Sequence, residues 1–456
     1  LLLAGSSATI QIPTAALKLK GEIIQSAIIM KFQPPRGTRD FLPEDMIRRQ
    51  YVLQTIWKIF EKWGFDPLET PAFEDWALLS AKQGGGEEIK NEIYYFKDKS
   101  DRELGLRFDF TIPLARVIAN NPGIAKPFRR YQIGPVWRYD RPGSGRYREF
   151  YQADIDIVGA PAGESDALCI AVACDAFKEL GFDDFFVRLN NRKIIEAFLL
   201  TIGIKKEKIT DALRSIDKLE KIGEKNVADE LKMKKIDTPM IKKILEFTKI
   251  KKLSEAKKYV EKEKLGQEGV KEMETILNAC EAFGISDFVK FDLSLVRGLE
   301  YYTGPVFEVF AGLNVSAGGG GRYDNLIQIA GGNPTPATGI SLGIDRILLA
   351  LEEKKLIKTA KTNVKIYIAS INEGVKPDVI SLARKFFSLG ISVEFDLMNR
   401  SLSKQLAYVN AKGIPFSIVI GDKEVKESKA KLRDMKSGKE SEIHFGNLEE
   451  VKKYIK

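Results

Sequence analysis

The chain has 456 residues, 44% hydrophobic and 30% charged, with a formal net charge of +9. That is roughly three domains' worth of folded globular sequence with a sizeable core. A single histidine, His444, and three cysteines, Cys169, Cys174 and Cys280, exclude a four-ligand Cys/His zinc site and a disulfide scaffold, and the scattered thiols fit a reducing cytoplasm. No run of about 18 apolar residues occurs, so no membrane span is expected. Residues 1–29 lack a basic n-region and read as a poorly ordered N-terminal extension ahead of Met30.

From Met46 to Trp63 apolar residues recur at helical spacing (Ile47, Val52, Ile56, Ile59, Phe60), and Gly64 closes the run. FDPLETPAFED follows as extended chain interrupted by Pro67 and Pro71, and glycines 84–86 mark a flexible loop. EIYYFKD and LGLRFDFT read as short strands, then TIPLARVIANN as a helix with Pro113 in its first turn. PFRRYQIGPVWRYD and REFYQADIDIVG read as two strands joined by a glycine-bearing loop from Arg141 to Arg146, longer than a tight hairpin turn. A helix is expected over 164–180, ended by Gly181.

Residues 193–285 turn lysine-rich and helical in period, for example where Thr238-Pro239 opens a helix with Ile241, Ile244 and Leu245 on one face. They read as an insertion into one larger catalytic unit, whose first part spans 30–192 and whose second part spans 286–352. A lysine-rich linker over 353–362 precedes VKIYIA, VISLARKFFSLG, ISVEF, LSKQLAYVNAKG and FSIVIG, a strand–helix alternation over 363–456 that implies a small sheet with parallel pairs. Its two helices end at Gly390 and Gly413. Positive charge is concentrated in two places. Residues 193–270 hold 20 Lys/Arg against 14 Asp/Glu and residues 363–456 hold 17 against 12, leaving the remainder at −2. Two basic segments around a near-neutral body suit modules that touch a polyanion, although an isolated lysine-rich helix is more often simply solvated.

Four clusters could carry chemistry. LRFDFT sets Asp109 and Thr111 two apart on an expected strand, hence on one side. The paired strands carry Arg138, Asp140, Arg141, Arg146 and Arg148, and alternation puts Phe150, Gln152, Asp154 and Asp156 on one face. LVRGLEYYTGPVFEV sets Arg297 ahead of Tyr301 and Tyr302. AGGGGRYDNLI holds Tyr323, and ATGISLGIDRILLAL holds Arg346 on an apolar helix expected to begin near Ser341. Each has an ordinary alternative: an exposed sheet face, strand-filling tyrosines, a glycine linker, or an arginine paired with Asp345. The glycine run has no Walker lysine and is not a P-loop. Together, forked guanidiniums suit phosphate oxygens, and carboxylates with an amide suit an ammonium group, so the conjunction points to a triphosphate held beside a small zwitterion.

These segments together resemble the histidyl-tRNA synthetases, a class II aminoacyl-tRNA synthetase family, from about Arg36 to the C-terminus. FRRYQIGPVWRYDRP…REF is similar to the second class II motif, GISLGIDRILLAL to the third, and LETPAFE to the more degenerate first motif of the dimer interface. RGLEYYTG and GGGGRYD resemble the two histidine-specific motifs, and REFYQADID looks more like archaeal and eukaryotic members. The resemblance implies an α+β fold: an antiparallel sheet flanked by helices, with a helical insertion and a C-terminal α/β anticodon-binding domain. It implies ATP-dependent ligation of L-histidine to tRNA(His) through histidyl-adenylate, by a cytoplasmic homodimer, with Mg²⁺ carried on the ATP phosphates. By the same likeness Asp109, Thr111 and Gln152 hold the histidine ammonium, Asp156 and Tyr302 face the imidazole, and Tyr301 and Tyr323 line its pocket. Phe150 stacks on adenine, and Arg346, Arg146 and Arg138 meet the phosphates. Arg297 and Arg138 are the catalytic pair. Asp156 stands where many bacterial members have glutamate, and RFDFT where many have proline after the arginine. A regulatory paralogue with the same core is the competing reading. Such proteins typically lack the arginine-bearing motif and the anticodon domain.

Overall fold

The computed structural model describes residues 32–81, 92–143, 145–296, 301–312, 316–357 and 360–455. The expectations for 1–29, for glycines 84–86 and for Arg297 lie outside the described residues. The hairpin expected from two apolar-alternating runs forms the centre of the molecule's largest sheet. Strand β5 (Phe128–Trp137) and strand β6 (Glu149–Val158) pair antiparallel from Phe128↔Val158 to Trp137↔Glu149, a full ten residues each. With β1 (Asp66–Pro67), β7 (Phe186–Asn191), β8 (Val289–Phe291), β9 (Pro305–Phe310), β10 (Gly318–Arg322) and β11 (Ala337–Gly343) they make an eight-stranded sheet in the order β1-β5-β6-β11-β10-β9-β7-β8. The interior pairs are antiparallel, and the two edge strands β1 and β8 pair parallel.

Alternation along β6 gives the sheet two unlike faces. Ala153, Ile155 and Ile157 belong to an apolar cluster with Val52, Ile56 and Phe60 of the helix Pro43–Lys62 and with Cys169, Ile170, Val172 and Phe177 of the helix Glu164–Glu179. Burying each Val, Ile or Phe side chain among them stabilises the fold by about 1.5–3 kcal/mol. Because this face carries the core, the opposite face is free to be polar, and there Phe150, Gln152, Asp154 and Asp156 point.

The lysine-rich block is helical throughout: six helices run from Arg192–Thr201 to Lys264–Ala282 and connect the parallel neighbours β7 and β8. A parallel pair cannot be joined by a tight turn, so the block is one long crossover. Its inner residues Phe198 and Phe247 stack at 3.8 Å. Ile241 and Ile244 are buried as expected, and Leu245 packs half-buried.

At the C-terminus β12 (Ile366–Ser370) pairs parallel with both β13 (Val393–Phe395) and β14 (Phe416–Ile420). The helices Lys376–Ser388 and Leu402–Lys412 flank it. Two further antiparallel strands, β15 (Lys429–Asp434) and β16 (Glu440–His444), extend this sheet and were not expected. Their residues are charged on the outward face, with apolar Ala430, Leu432 and Ile443 alone buried, so the alternation is too sparse to stand out. A third, three-stranded sheet has the order β2 (Phe73–Asp75), β4 (Glu103–Leu106), β3 (Tyr95–Lys97). Among the described residues no helix is long and apolar enough to cross a membrane.

Candidate active site

A cavity of about 350 Å³ opens on the polar face of the large sheet. Its floor is β6, β11 and β10. At about 3.3 Å per residue, Phe150, Gln152, Asp154 and Asp156 mark intervals of roughly 6.7 Å along that floor. The neighbouring strands carry glycine at close-approach positions for a reason that packing supplies. Asp156 pairs with Gly339, where a Cβ would fall 2.1 Å from the Asp156 Oδ1, and Gly320 would place one 2.0 Å from the Gly339 carbonyl oxygen. The four glycines 318–321 are thus a strand inside the sheet, not a linker, and leave room above the floor.

The walls come from loops and helix starts. Strand β4 ends at Leu106, so Asp109 and Thr111 do not face one side by strand alternation. Thr111 opens the helix Thr111–Asn120, and Asp109 accepts the Ile112 N–H at 3.1 Å. A turn does what the strand was expected to do, and both side chains still line the cavity. Tyr301 and Tyr302 lie in the loop before β9, their hydroxyls 3.4 Å apart, and Tyr301 meets Tyr323 edge-on at 6.0 Å. The helix bearing Arg346 starts at Ile344. Ser341, where it was expected to start, belongs to β11.

The two ends differ in chemistry. At the outer end Arg138 donates from Nε to the Phe108 carbonyl at 3.0 Å, and its guanidinium lies 5.3 Å from the Phe150 ring centre. Arg346 donates to the Ser316 carbonyl at 2.8 Å, and Arg146 joins it in the lining. Asp345 does not pair with Arg346; it takes Arg39 and Arg49 and accepts the Tyr151 N–H. At the inner end Asp156 is bound by Arg130, fully buried, at 2.6 Å, and by the Tyr323 hydroxyl. Burial raises the Asp156 carboxyl, opposed by Arg130 and by the Tyr323 hydrogen bond. Burial likewise pushes Asp154 up to about 7, with Arg130 opposing and Asp156 adding to it. Burial also lifts the Tyr301 and Tyr323 phenols well above their ordinary range, so both act as neutral hydrogen-bonding groups. The Gln152 Oε1, the Asp154 Oδ1 and the Asp156 Oδ2 are buried without a hydrogen bond of good geometry, an unsatisfied condition that a polar ligand relieves.

The cavity brings together Asp109, Thr111, Arg138, Arg146, Phe150, Gln152, Asp156, Tyr301, Tyr302, Tyr323 and Arg346. Arg297 falls among the residues not described. Sequence reasoning gave Arg130 no role. Counting back across the hairpin from Asp156 would have found it, because the antiparallel register sets Arg130 directly opposite. Among the described residues no three His, Cys, Asp or Glu side chains are placed to hold a metal ion.

A family model described as histidyl-tRNA synthetase matches residues 37–347, and one described as anticodon binding domain matches residues 365–454. The histidine–tRNA ligase of Pyrococcus furiosus is 36% identical over 426 residues, covering 92% of this chain and 98% of that protein. That of Bacteroides fragilis is 38% identical over 436 residues, covering 89% and 95%. A solved histidyl-tRNA synthetase from Nostoc sp. PCC 7120 superposes with a TM-score of 0.82 at 30% identity, covering 93% of this chain and all of that one.

Proposed function

The chain belongs to the histidyl-tRNA synthetase family and charges tRNA with histidine at the expense of ATP, and on that premise we propose how its own residues divide the work. In the family's reaction a histidine carboxylate oxygen attacks the α-phosphorus of ATP and the bond to the β-phosphate breaks, releasing pyrophosphate. A terminal ribose hydroxyl of tRNA(His) then attacks the carbonyl of the histidyl-adenylate, and AMP leaves.

The outer end of the cavity takes the nucleotide. Phe150 stacks on adenine, Arg346 packs over the nucleotide, Arg146 meets the outer phosphates and Arg138 the α-phosphate. Negative charge grows on the phosphate oxygens in the transition state, so Arg138, held by the Phe108 carbonyl, stabilises it more than the ground state, and Arg297 takes the same part by family likeness. Mg²⁺ arrives as part of the substrate, on the ATP phosphates. The inner end takes histidine, with its ammonium between Asp109, Thr111 and Gln152 and its ring in the slot bounded by Asp156, Tyr301, Tyr302 and Tyr323. A ligand lacking a ring nitrogen would leave buried polar groups unpaired there, which is the basis of selection.

The helical block 193–285 and the domain 363–456, which carry the positive excess, supply the polyanion contacts to tRNA. The segment around Pro71 and the exposed rings of Phe73, Tyr95 and Phe96 form part of a homodimer contact, and the enzyme works in the cytoplasm. The observation that carries this reading is the single floor strand that runs from a guanidinium-flanked ring at Phe150 to buried carboxyls at Asp154 and Asp156. Pyrophosphate exchange with each amino acid in turn tests it. Histidine alone should support exchange, and exchange with another amino acid instead would reject the assignment of the inner end.

A further inference from the structure

Residues 36–41, ahead of the first helix, lie outside the cavity lining, yet they are tied to both arginine-bearing walls of its outer end. Arg39 donates from Nη1 to the Tyr147 hydroxyl at 2.8 Å and from Nη2 to the Asp345 Oδ1 at 2.6 Å. Tyr147 is the chain neighbour of Arg146, and Asp345 is the chain neighbour of Arg346. One guanidinium outside the cavity thus grips the element behind each of two arginines that line it.

Each grip is reinforced. On the side of Arg146, the Gly37 carbonyl accepts the Arg148 N–H at 2.8 Å, and Arg148 Nη1 reaches the Arg36 carbonyl at 3.4 Å. Gly37 has φ +87°, and a Cβ there would fall 2.8 Å from the Arg148 Cγ, so only glycine lets the two stretches approach this closely. On the side of Arg346, pairing between β11 and β6 ends at Gly343↔Gln152. The next N–H along β6, that of Tyr151, is taken by the Asp345 Oδ2 at 2.9 Å, and Arg49 Nη2 lies 3.3 Å from Oδ1. The start of the helix Ile344–Glu353 is thereby pinned to the floor strand.

Between the two grips Tyr147, Arg39, Phe41, Arg49 and Tyr151 alternate ring and guanidinium. Each guanidinium carbon lies 3.9–4.4 Å from the ring centres on either side of it. Such a stack needs a flat cation with a forked set of donors, which arginine has and lysine lacks. The Arg39 side chain is 38% exposed, and ion pairs open to water add little to stability, so what the stack supplies is geometry. A triphosphate gripped by several arginines is sensitive to that geometry, because a misplacement of about 1 Å can cost about 10²-fold in rate.

We propose that Arg39 is a positioning residue for adenylate formation: by holding Tyr147 and Asp345 at once it sets the spacing between Arg146 and Arg346 that the ATP phosphates require. The proposal rests on the outer end being the nucleotide site.

Arg39→Lys in the full chain, which keeps the charge and loses the fork, tests it by histidine-dependent pyrophosphate exchange. KM for ATP should rise about tenfold, and KM for histidine should stay within about twofold of wild type. Inhibition by adenosine, which has no phosphates to misplace, should also stay within about twofold. Tyr147→Phe keeps its ring in the stack and loses only the hydroxyl, so its KM for ATP should rise about threefold. This arm stands even if the lysine variant fails to fold. Because both changes break one contact, the double variant should lose little beyond Arg39→Lys alone. An unchanged KM for ATP in both single variants, while Arg346→Ala raises it, overturns the proposal, as do losses that simply multiply in the double variant. A rise shared equally by ATP, adenosine and histidine overturns it too, since that is the mark of a general structural role. If Arg346→Ala also leaves KM for ATP unchanged, the nucleotide reading of the outer end is what fails, and the proposal falls with it.

Discussion

The inner and outer ends of the cavity are built on opposite plans. At the inner end charges are buried and face one another across the sheet: Arg130 is fully enclosed and opposes Asp156 in register, and the floor around them is glycine. At the outer end Arg138 donates to the Phe108 carbonyl and Arg346 to the Ser316 carbonyl, bonds that orient the two guanidiniums. The contrast fits the two ligands. A small zwitterion selected by hydrogen bonds needs a dry, prearranged slot, whereas a triphosphate arrives with its own negative charge and needs guanidinium donors aimed at its oxygens. The price of the inner plan is stability, because a buried ion pair stabilises little on balance yet is damaging to break.

Removing one side of that pair is the most forceful way to break the comparison. Arg130→Met should strand the Asp156 charge and destabilise the enzyme by about 3–5 kcal/mol, read from the urea midpoint of unfolding. A loss below about 1 kcal/mol would mean that Asp156 takes up a proton without needing the guanidinium. Arg138→Ala attacks the other end and should do the reverse. Stability should hold while adenylate formation falls about 10²–10³-fold, with KM for histidine nearly unchanged; an equal loss in KM would place Arg138 in ground-state binding. Gly339→Ala sharpens the role of the bare floor. A methyl group 2.1 Å from the Asp156 Oδ1 and 2.6 Å from the Ile155 carbonyl forces β6 and β11 apart, at a cost of about 1–3 kcal/mol. The loss of affinity should fall on histidine and not on ATP. The mildest test concerns the surface outside the cavity. Affinity for tRNA should decline steeply with salt as Lys/Arg–phosphate contacts release counterions, while KM for histidine stays flat.

Much of the site was legible because alternation in a strand is a local property. Phe150, Gln152, Asp154 and Asp156 share a face in any structure that keeps 149–158 extended, and the paired runs around Arg141–Arg146 announced the hairpin. Asp109 and Thr111 were found on a mistaken premise: the strand stops at Leu106, and a helix start presents them instead. The glycine run looked equally like a linker, since the absence of side chains has no period to read. Arg130 escaped notice because its importance lies in its partner across the hairpin, not in its neighbours along the chain.

By itself, then, the sequence determined which residues alternate, the glycines at which helices stop, the two basic segments and the family likeness. These follow from period, capping and composition, which need no knowledge of distant contacts. The tertiary structure alone decided that residues 318–321 form a strand, that Asp156 sits against Arg130 and Tyr323, and that Gln152, Asp154 and Asp156 each keep a buried oxygen without a hydrogen bond. Those outcomes depend on register and on the exclusion of water, and both come into being only when strands far apart in the chain lie side by side.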